Sequence, residues 1–491
     1  MKRQVLIRGL SLLLVCLMLL TVLLACSVPT EEPEKEPDAS QDPEQPQDEE
    51  PGEEDPYNVP DSLAAADYNG AEFSILYYSD NQVGVFYVPN KTGDLIDDAI
   101  WSARAAVEDR FHVNIVANKS GAENEGAHIA LINNQMTAGV TEFDIAHVHD
   151  VLGGNLSIQG VLVNILDIPQ FDFSKPWWSE KAVETLTFMD QLYLISSTIS
   201  TNCISGAQSV FFNKQLMDDY GLEYPYQDVL DMNWYLEDML SSIEDIYEDV
   251  GDNGKDAEDR YGLLMPQEMY CIFESYGINM IEKSEDGTEL ILNANNERVY
   301  DLINAYYNIR YEYDGGYTDV RATTFDMFKE SQGIYLTTGI GTAVSNFRDA
   351  TFAYGIVPYP MLDETQGGYL AGYTDRFMVI PHTCPDIDYV GTIVEAMSAQ
   401  GYRQVIPAYY ETALKGRHTH DSESVQMLEI IREARVFDFA YVYSNDTACT
   451  RALYALLKTK SHDYASFYAE KEPSALKRIE ELTKFFEAMA D

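Results

Sequence analysis

Between Ser27 and Asp61 the chain holds fourteen acids, eight prolines and one lysine, with only Val28, Tyr57 and Val59 as sizeable apolar residues. Such a stretch buries too little apolar surface to offset the entropy of ordering it, so it predicts an extended linker and not a fold. At about 3.1 Å per residue its roughly 35–40 residues reach roughly 100 Å. A basic start (Lys2, Arg3, Arg8) and an apolar run from Leu10 to Leu24 precede it. That run of about 15 residues is shorter than the roughly 20 a membrane-spanning helix needs, and its flanks fit a secretory signal. The 491 residues exceed one ordinary domain. Of the formal charge of −49, the linker's fourteen acids and one lysine account for thirteen, while the three basic residues of the signal offset three. The remainder is therefore acidic in its own right, at about −39. A field that negative repels phosphate backbones and offers no basic patch to anionic lipid, which argues against nucleic acid as a partner. A chain that is 46% hydrophobic and 12% aromatic is not disordered throughout.

The signal-like run ends in Leu23-Leu24-Ala25-Cys26, which resembles a bacterial lipobox. The resemblance implies removal of residues 1–25, a lipid on Cys26, and residues 26–68 as a lipid-anchored acidic, Pro-rich linker. Cys16 leaves with the signal; Cys203, Cys271, Cys384 and Cys449 remain, with no CxxC. Four cysteines allow three full pairings, and buried free thiols are an equal alternative. No zinc-type spacing occurs.

After Tyr68 short apolar runs alternate with amphipathic stretches, which predicts α/β architecture. Strands are expected at 73–78, 113–117, 143–148, 192–196, 210–213, 342–346, 353–357 and 377–381. Helices are expected at 93–111 (Ile96, Ile100, Ala103, Val107 and Phe111 on one face), 127–139, 214–220, 234–247, 299–313 and 324–332, with a mostly helical tail from Asp386. No GxSxG, HExxH, Walker or GxGxxG motif is present.

Several stretches, in order, resemble the extracellular solute-binding lipoproteins of bacterial ABC importers, in particular the sugar-type, family 1-like members. They include Asp97-Asp98-Ala99-Ile100, Val107-Glu108-Asp109-Arg110-Phe111, Phe143-Asp144-Ile145, Ser174-Lys175-Pro176-Trp177-Trp178 and Phe211-Phe212-Asn213-Lys214. Tyr220-Gly221-Leu222, Gly355-Ile356-Val357-Pro358-Tyr359-Pro360 and Pro407-Ala408-Tyr409-Tyr410-Glu411 extend the match. The resemblance implies two discontinuous α/β lobes joined by a hinge, in the manner of type II periplasmic binding proteins, with a ligand cleft between them. Lobe 1 is expected at 69–196 plus 370–404 and lobe 2 at 197–369 plus 405–491. It implies a monomeric, membrane-anchored, extracytoplasmic receptor that captures a carbohydrate, foremost an oligosaccharide, and delivers it to ABC permease subunits, without catalysis and without a required cofactor. A surface lipoprotein glycosidase, and a ligand-sensing or peptide-binding subunit, are the alternatives.

Sugar capture needs amides, carboxylates and hydroxyls for the rim and flat aromatic rings for the face. In α/β lobes these sit on loops after strand ends. Candidates are Tyr78, Ser79 and Asp80 after the first strand, and His149 and Asp150 after the strand ending at Val148. Thr198 and Asn202 lie on the first crossover, Asn346 and Phe347 after the strand expected at 342–346, and Tyr373 and Asp375 on the second crossover. Trp178 is a candidate stacking platform. His147 and His149, with Asp150 beside them, have the makings of a metal pair, but a third ligand at useful spacing is absent. The loop Asp249–Asp259 resembles the calcium loops of relatives, which would make oxygen donors of Asp249, Asn253, Asp256 and Asp259 for a structural Ca²⁺.

Overall fold

A computed structural model describes residues 55–490 apart from 252, 269–270, 349, 375, 416–421 and 445–447. The expected signal, Cys26 and most of the linker lie outside the described residues. The chain runs through β1 (Ala71–Tyr77), α1 (Leu95–Phe111), β2 (Val113–Lys119), α2 (Glu125–Thr137), β3 (Ile145–His149) and α3 (Asp150–Ser157). Next come β4 (Gln208–Asn213), β5 (Tyr247–Glu248), β6 (Arg260–Pro266), β7 (Ile281–Lys283), β8 (Leu290–Leu292), α4 (Glu297–Tyr311), β9 (Gly316–Asp319), α5 (Arg321–Lys329), β10 (Gly333–Gly339), α6 (Thr342–Ser345) and β11 (Tyr354–Pro358). The last part holds β12 (Ala371–Gly372), β13 (Arg376–Val379), α7 (Ile387–Gln400), α8 (Ile406–Lys415), α9 (Ser422–Glu433), β14 (Arg435–Val436), α10 (Phe439–Ser444) and α11 (Tyr464–Ala490). Short helical turns join several of these.

Two sheets organise the fold. The first has the order β13-β3-β1-β2, with β1 parallel to β2 and β3, and β13 antiparallel to β3. The second has the order β11-β4-β10-β6-β5, with β9 beside β6. α1 shows how sequence sets this up. Asp94 accepts the N–H groups of Ile96 and Asp97 and so caps the helix, acids fill its first turn and Arg110 its last. Its buried residues are Ile96, Ile100, Ala103, Val107 and Phe111, the face expected from the spacing.

Three expected elements differ. The segment 342–346 is a helical turn; the strand lies earlier, at β10, whose Ile, Tyr and Thr side chains fit a strand paired on both edges. The helix expected over 234–247 is confined to Leu236–Ser242. Trp234 is drawn out of it by tertiary pairing, its indole N–H donating to Pro358 O (3.0 Å) and its carbonyl accepting from Met361 N (2.9 Å). The strand expected at 192–196 is reduced to one bridge, Ile195 to Met378.

The chain crosses between the sheets twice, and the crossings touch backbone to backbone. Ala207 bridges Tyr373, and the Tyr373 hydroxyl donates to Asn202 O. A Cβ on Gly206 would lie 2.0 Å from Thr374 O. The C-terminal helices, expected with the second lobe, contact both sides. Gly154 of α3 abuts the Val442 carbonyl of α10, and Gln191 Nε2 donates to Phe486 O (2.7 Å), while Tyr464 donates to Ala294 O (2.6 Å) beside β8.

The linker, expected to run free to residue 68, docks from Asp55 onward. Arg110 grips Asp61 with two bonds (2.8 and 2.9 Å), Arg403 adds a third (3.0 Å), and Tyr57 packs on Tyr402 and donates to Glu429 (3.2 Å). Charge pairing holds this segment where apolar burial alone does not.

Gly206→Ala is expected to cost about 2–4 kcal/mol through this backbone clash. Gly84→Ala, with nothing within 4 Å of the added methyl, is the control. Equal melting temperatures for the two variants would show that the crossings do not depend on that approach.

Candidate functional site

The parallel strands β6 and β10 end at Pro266 and Gly339, and a cavity of about 430 Å³ opens beyond those carboxyl ends. Its wall comes from several elements. The first crossover supplies Thr201, Ser205 and Gly206, and β4 begins there with Gln208. β10 supplies Thr337 and Thr338, and α6 and its end supply Thr342, Ser345 and Asn346. Glu268 follows β6, Arg321 opens α5, and Val85 and Thr374 reach in from the side of the first sheet and the second crossover. Phe325, Tyr359 and Tyr409 give the apolar part of the lining.

Hydrogen bonds fix part of this wall and leave part of it available. Thr338 and Thr342 share a hydroxyl–hydroxyl bond (2.9 Å), and Ser209 donates to Thr338 O (2.9 Å), so β10 and α6 are tied at the cavity floor. Glu268 Oε2 accepts the backbone N–H of Arg321 (3.0 Å), and Asn346 Oδ1 accepts from Ser345 (2.7 Å). The side chains of Thr201, Ser205, Gln208 and Arg321 have no hydrogen-bond partner among the described residues. Their donors and acceptors face a space that a polar solute of small-molecule size can fill.

Of the residues expected to bind ligand, Asn346 lines this cavity. Tyr78, Ser79, Asp80, His149 and Asp150 gather elsewhere, at the carboxyl ends of β1 and β3. Lys119 pairs with Asp80 (2.5 Å), Tyr78 donates to Glu123 O (3.2 Å), and Ser79 caps a short turn. Asp150 is buried and lies 2.6 Å from His149 Nδ1. Burial works to lower the His149 pKa, but the bond to Asp150, with the charges of Asp150 and Glu125, outweighs it and raises the pKa. Thr198 is buried in the crossover, donating to Ser398 O (2.5 Å), and Asn202 serves the crossover through its carbonyl. Asp375 lies outside the described residues.

Three expected ligand residues are core. Phe347, fully buried, sits among Phe211, Phe325, Phe328 and Tyr354, because the segment before it is a helical turn that aims it inward. Tyr373 braces the hinge against Phe437, with ring centroids 4.6 Å apart. Trp178 packs on Phe171 and Phe173, and its N–H donates to Glu395 Oε2 (3.0 Å) while that of Trp177 donates to Oε1 (2.9 Å). Burial pushes the Glu395 carboxyl up to about 7, against the lowering effect of the two indoles.

Gln208, Glu268, Arg321, Thr337 and Thr338 were not expected. The rule that ligand groups sit at strand ends identifies Glu268, just after β6, and Thr338, near the end of β10, once those strands are placed, and both strands are among those the sequence pattern left unassigned. In the acidic loop, Asp249 accepts the N–H groups of Gly251, Asn253 and Gly254, and Asn253 donates to Asp256 (2.8 Å). Asp259 accepts from Val250 N, Asp256 N and the hydroxyls of Tyr247 and Tyr261. Among the described residues no group of three or more His, Cys, Asp or Glu is placed to hold a metal ion, and no helix is long and apolar enough to cross a membrane.

No family model matches the sequence, and no curated protein matches it. Solved structures do. The GacH receptor of Streptomyces glaucescens, determined unliganded and with acarbose, is 13% identical, with 85% of this chain and 99% of that one covered and a TM-score of 0.53. The galacto-N-biose/lacto-N-biose I-binding protein of a Bifidobacterium longum ABC transporter, solved with lacto-N-biose, is 11% identical, with 86% and 98% covered and a TM-score of 0.54. The ABC substrate-binding protein Lmo0181 of Listeria monocytogenes, solved with cycloalternan, is 14% identical, with 84% and 98% covered and a TM-score of 0.50. At such identities the likeness is one of fold, and the fold is the two-lobed type II one.

The Glu395 carboxyl makes a pH-dependent prediction. Its folded pKa, about 7, lies above the usual value of 4.5. Its contribution is therefore whole below about 4.5, is lost as pH rises to about 7, and is constant above that, a total on the order of 3 kcal/mol. The melting temperature of the natural protein minus that of Glu395→Gln should fall between pH 5 and 8. A difference that does not change with pH would refute the assignment.

Proposed function

We propose that this protein is an extracytoplasmic receptor that captures a saccharide between its lobes and delivers it to the permease of an ABC transporter. It acts as a monomer held at the membrane by a lipid on Cys26, and capture needs no cofactor. The observation that carries this reading is the cavity at the carboxyl ends of β6 and β10, where Thr201, Ser205, Gln208, Thr338 and Asn346 present hydroxyls and amides beside Arg321 and Glu268. Such a set matches the alternating donors and acceptors of a sugar rim. The three structural neighbours described above, two of them named as parts of ABC transport and two solved with a saccharide, support it.

Binding and not hydrolysis suits this wall. Glycoside cleavage uses two carboxyl groups flanking the scissile bond. Among the described residues lining the cavity, Glu268 is the one carboxylate.

A thermal-shift screen against neutral oligosaccharides and short peptides tests the proposal. A saccharide at about 100 times its Kd should stabilise the protein by about 2.7 kcal/mol. Gln208→Ala and Arg321→Ala should each weaken that saccharide about tenfold or more while leaving the unliganded melting temperature within about 1–2 °C. Shifts by peptides alone, or release of reducing ends from the saccharide, would overturn it.

A further inference from the structure

We infer that Asp94 and Arg348 form a latch between the two lobes, holding them together beside the mouth of the cavity. The inference rests on the two-lobed fold and not on which solute is bound.

Asp94 precedes α1, which packs on the first sheet. Arg348 lies between β10 and β11 of the second, two residues beyond Asn346, which lines the cavity. Arg348 Nη1 donates to Asp94 Oδ2. Both ends are fixed before they meet. Asp94 Oδ1 accepts the N–H groups of Ile96 (3.0 Å) and Asp97 (3.1 Å), which aims Oδ2 outward. The preceding loop is stiffened because Thr92 N and Gly93 N donate to Asp98 (2.8 and 3.1 Å) and the Thr92 hydroxyl donates to Asp97 (2.8 Å). On the other side, Phe347 is fully buried, so the backbone carrying Arg348 is anchored one residue away.

Less side-chain entropy is lost when such a pair forms than when two mobile side chains meet. The Asp94 carboxyl is held below its ordinary pKa, the N–H of Asp97 and the Arg348 guanidinium together outweighing the cost of burial. With the side chains 26% and 41% exposed, the pair is partly solvated and its effect is modest. It exists only while the lobes are close, so it shifts the ratio of closed to open molecules, by about two- to fivefold. A receptor whose closed state is already populated binds its solute more tightly by the same factor when closure is the limiting step.

Single-molecule energy transfer between dyes at position 114, in β2 of the first sheet, and position 330, at the end of α5 beside the second, both exposed, reads the ratio in the full-length chain without any ligand. Asp94→Asn keeps the helix cap and removes the charge; Arg348→Gln removes the other partner. Each should lower the closed-to-open ratio about two- to fivefold, and the double variant should lower it no further. Raising sodium chloride from 0.05 to 1 M should lower the ratio of the natural protein and leave the variants nearly unchanged. Unchanged ratios in both single variants, or effects that add in the double, would overturn the latch. Neither result bears on whether the cavity takes a saccharide.

Discussion

The whole arrangement hangs on two chain crossings that lie backbone against backbone. Gly206 leaves no room for a methyl beside the Thr374 carbonyl, and Gly372 leaves none beside the carbonyl of Cys271. Around this contact the polar groups are satisfied locally. Ala207 bridges Tyr373, Gly372 N donates to Ser275 Oγ (2.9 Å), and Arg435 donates to Cys203 O. The two sheets, bridged also by the C-terminal helices, meet at this hydrogen-bonded waist. They can change their mutual angle by small backbone rotations at the waist while each core stays intact. The cavity lies beside this waist, with Ser205 and Gly206 from one crossing and Thr374 from the other in its wall. A solute there touches the elements whose rotation would close over it.

In a body with so many more acids than bases, the places where arginines sit are informative. Asp61 lies between Arg110 and Arg403, and although burial opposes ionisation, the two guanidiniums bring its pKa down to about 2. Arg376 pairs with Glu125 (2.7 Å), joining β13 to the start of α2. Arg478 donates to the Tyr443 carbonyl near the end of α10 and to Asn155 of α3 (2.6 Å), so a cation meets a helix C-terminus where three segments join. Each of these four arginines fastens chain segments that are distant in sequence. Arg321 departs from this pattern, since its guanidinium has no ion partner among the described residues. Its position in the cavity wall gives that departure a functional sense.

Much of the first sheet was legible in the sequence. The apolar spacing from Ile96 to Phe111 gave the buried face of α1, and the run FSILYY gave β1, because local periodicity and burial agree there. The second sheet was harder. β10 occupies GIYLTTG inside a longer apolar stretch, where a strand and a buried helical turn look alike, and the choice between them is made by pairing with β4 and β6. That one displacement moved Phe347 from core to cleft in the sequence reading. It also hid Thr337 and Thr338. Trp178 was misplaced for a different reason: a flat indole is equally suited to stack on a sugar or to fill a core, and only the position of Glu395, 217 residues away, decides.

The cavity wall is built mainly from short side chains on rigid supports, and this bears on how a neutral solute can be held. A hydroxyl solute gives up good hydrogen bonds to water, so the net gain per bond is small. The gain survives only if the protein groups lose little freedom in making the bond. Threonines on a sheet and at a helical turn already have few rotamers, and the bond between Thr338 and Thr342 removes one more choice. Gln208 and Arg321 are longer and lose more on binding, but Arg321 opens a helix whose first N–H is taken up by Glu268. Its backbone is thereby fixed. Such a wall can recognise the pattern of hydroxyls on a solute through many modest bonds, each directed from a position set by the fold before the solute arrives.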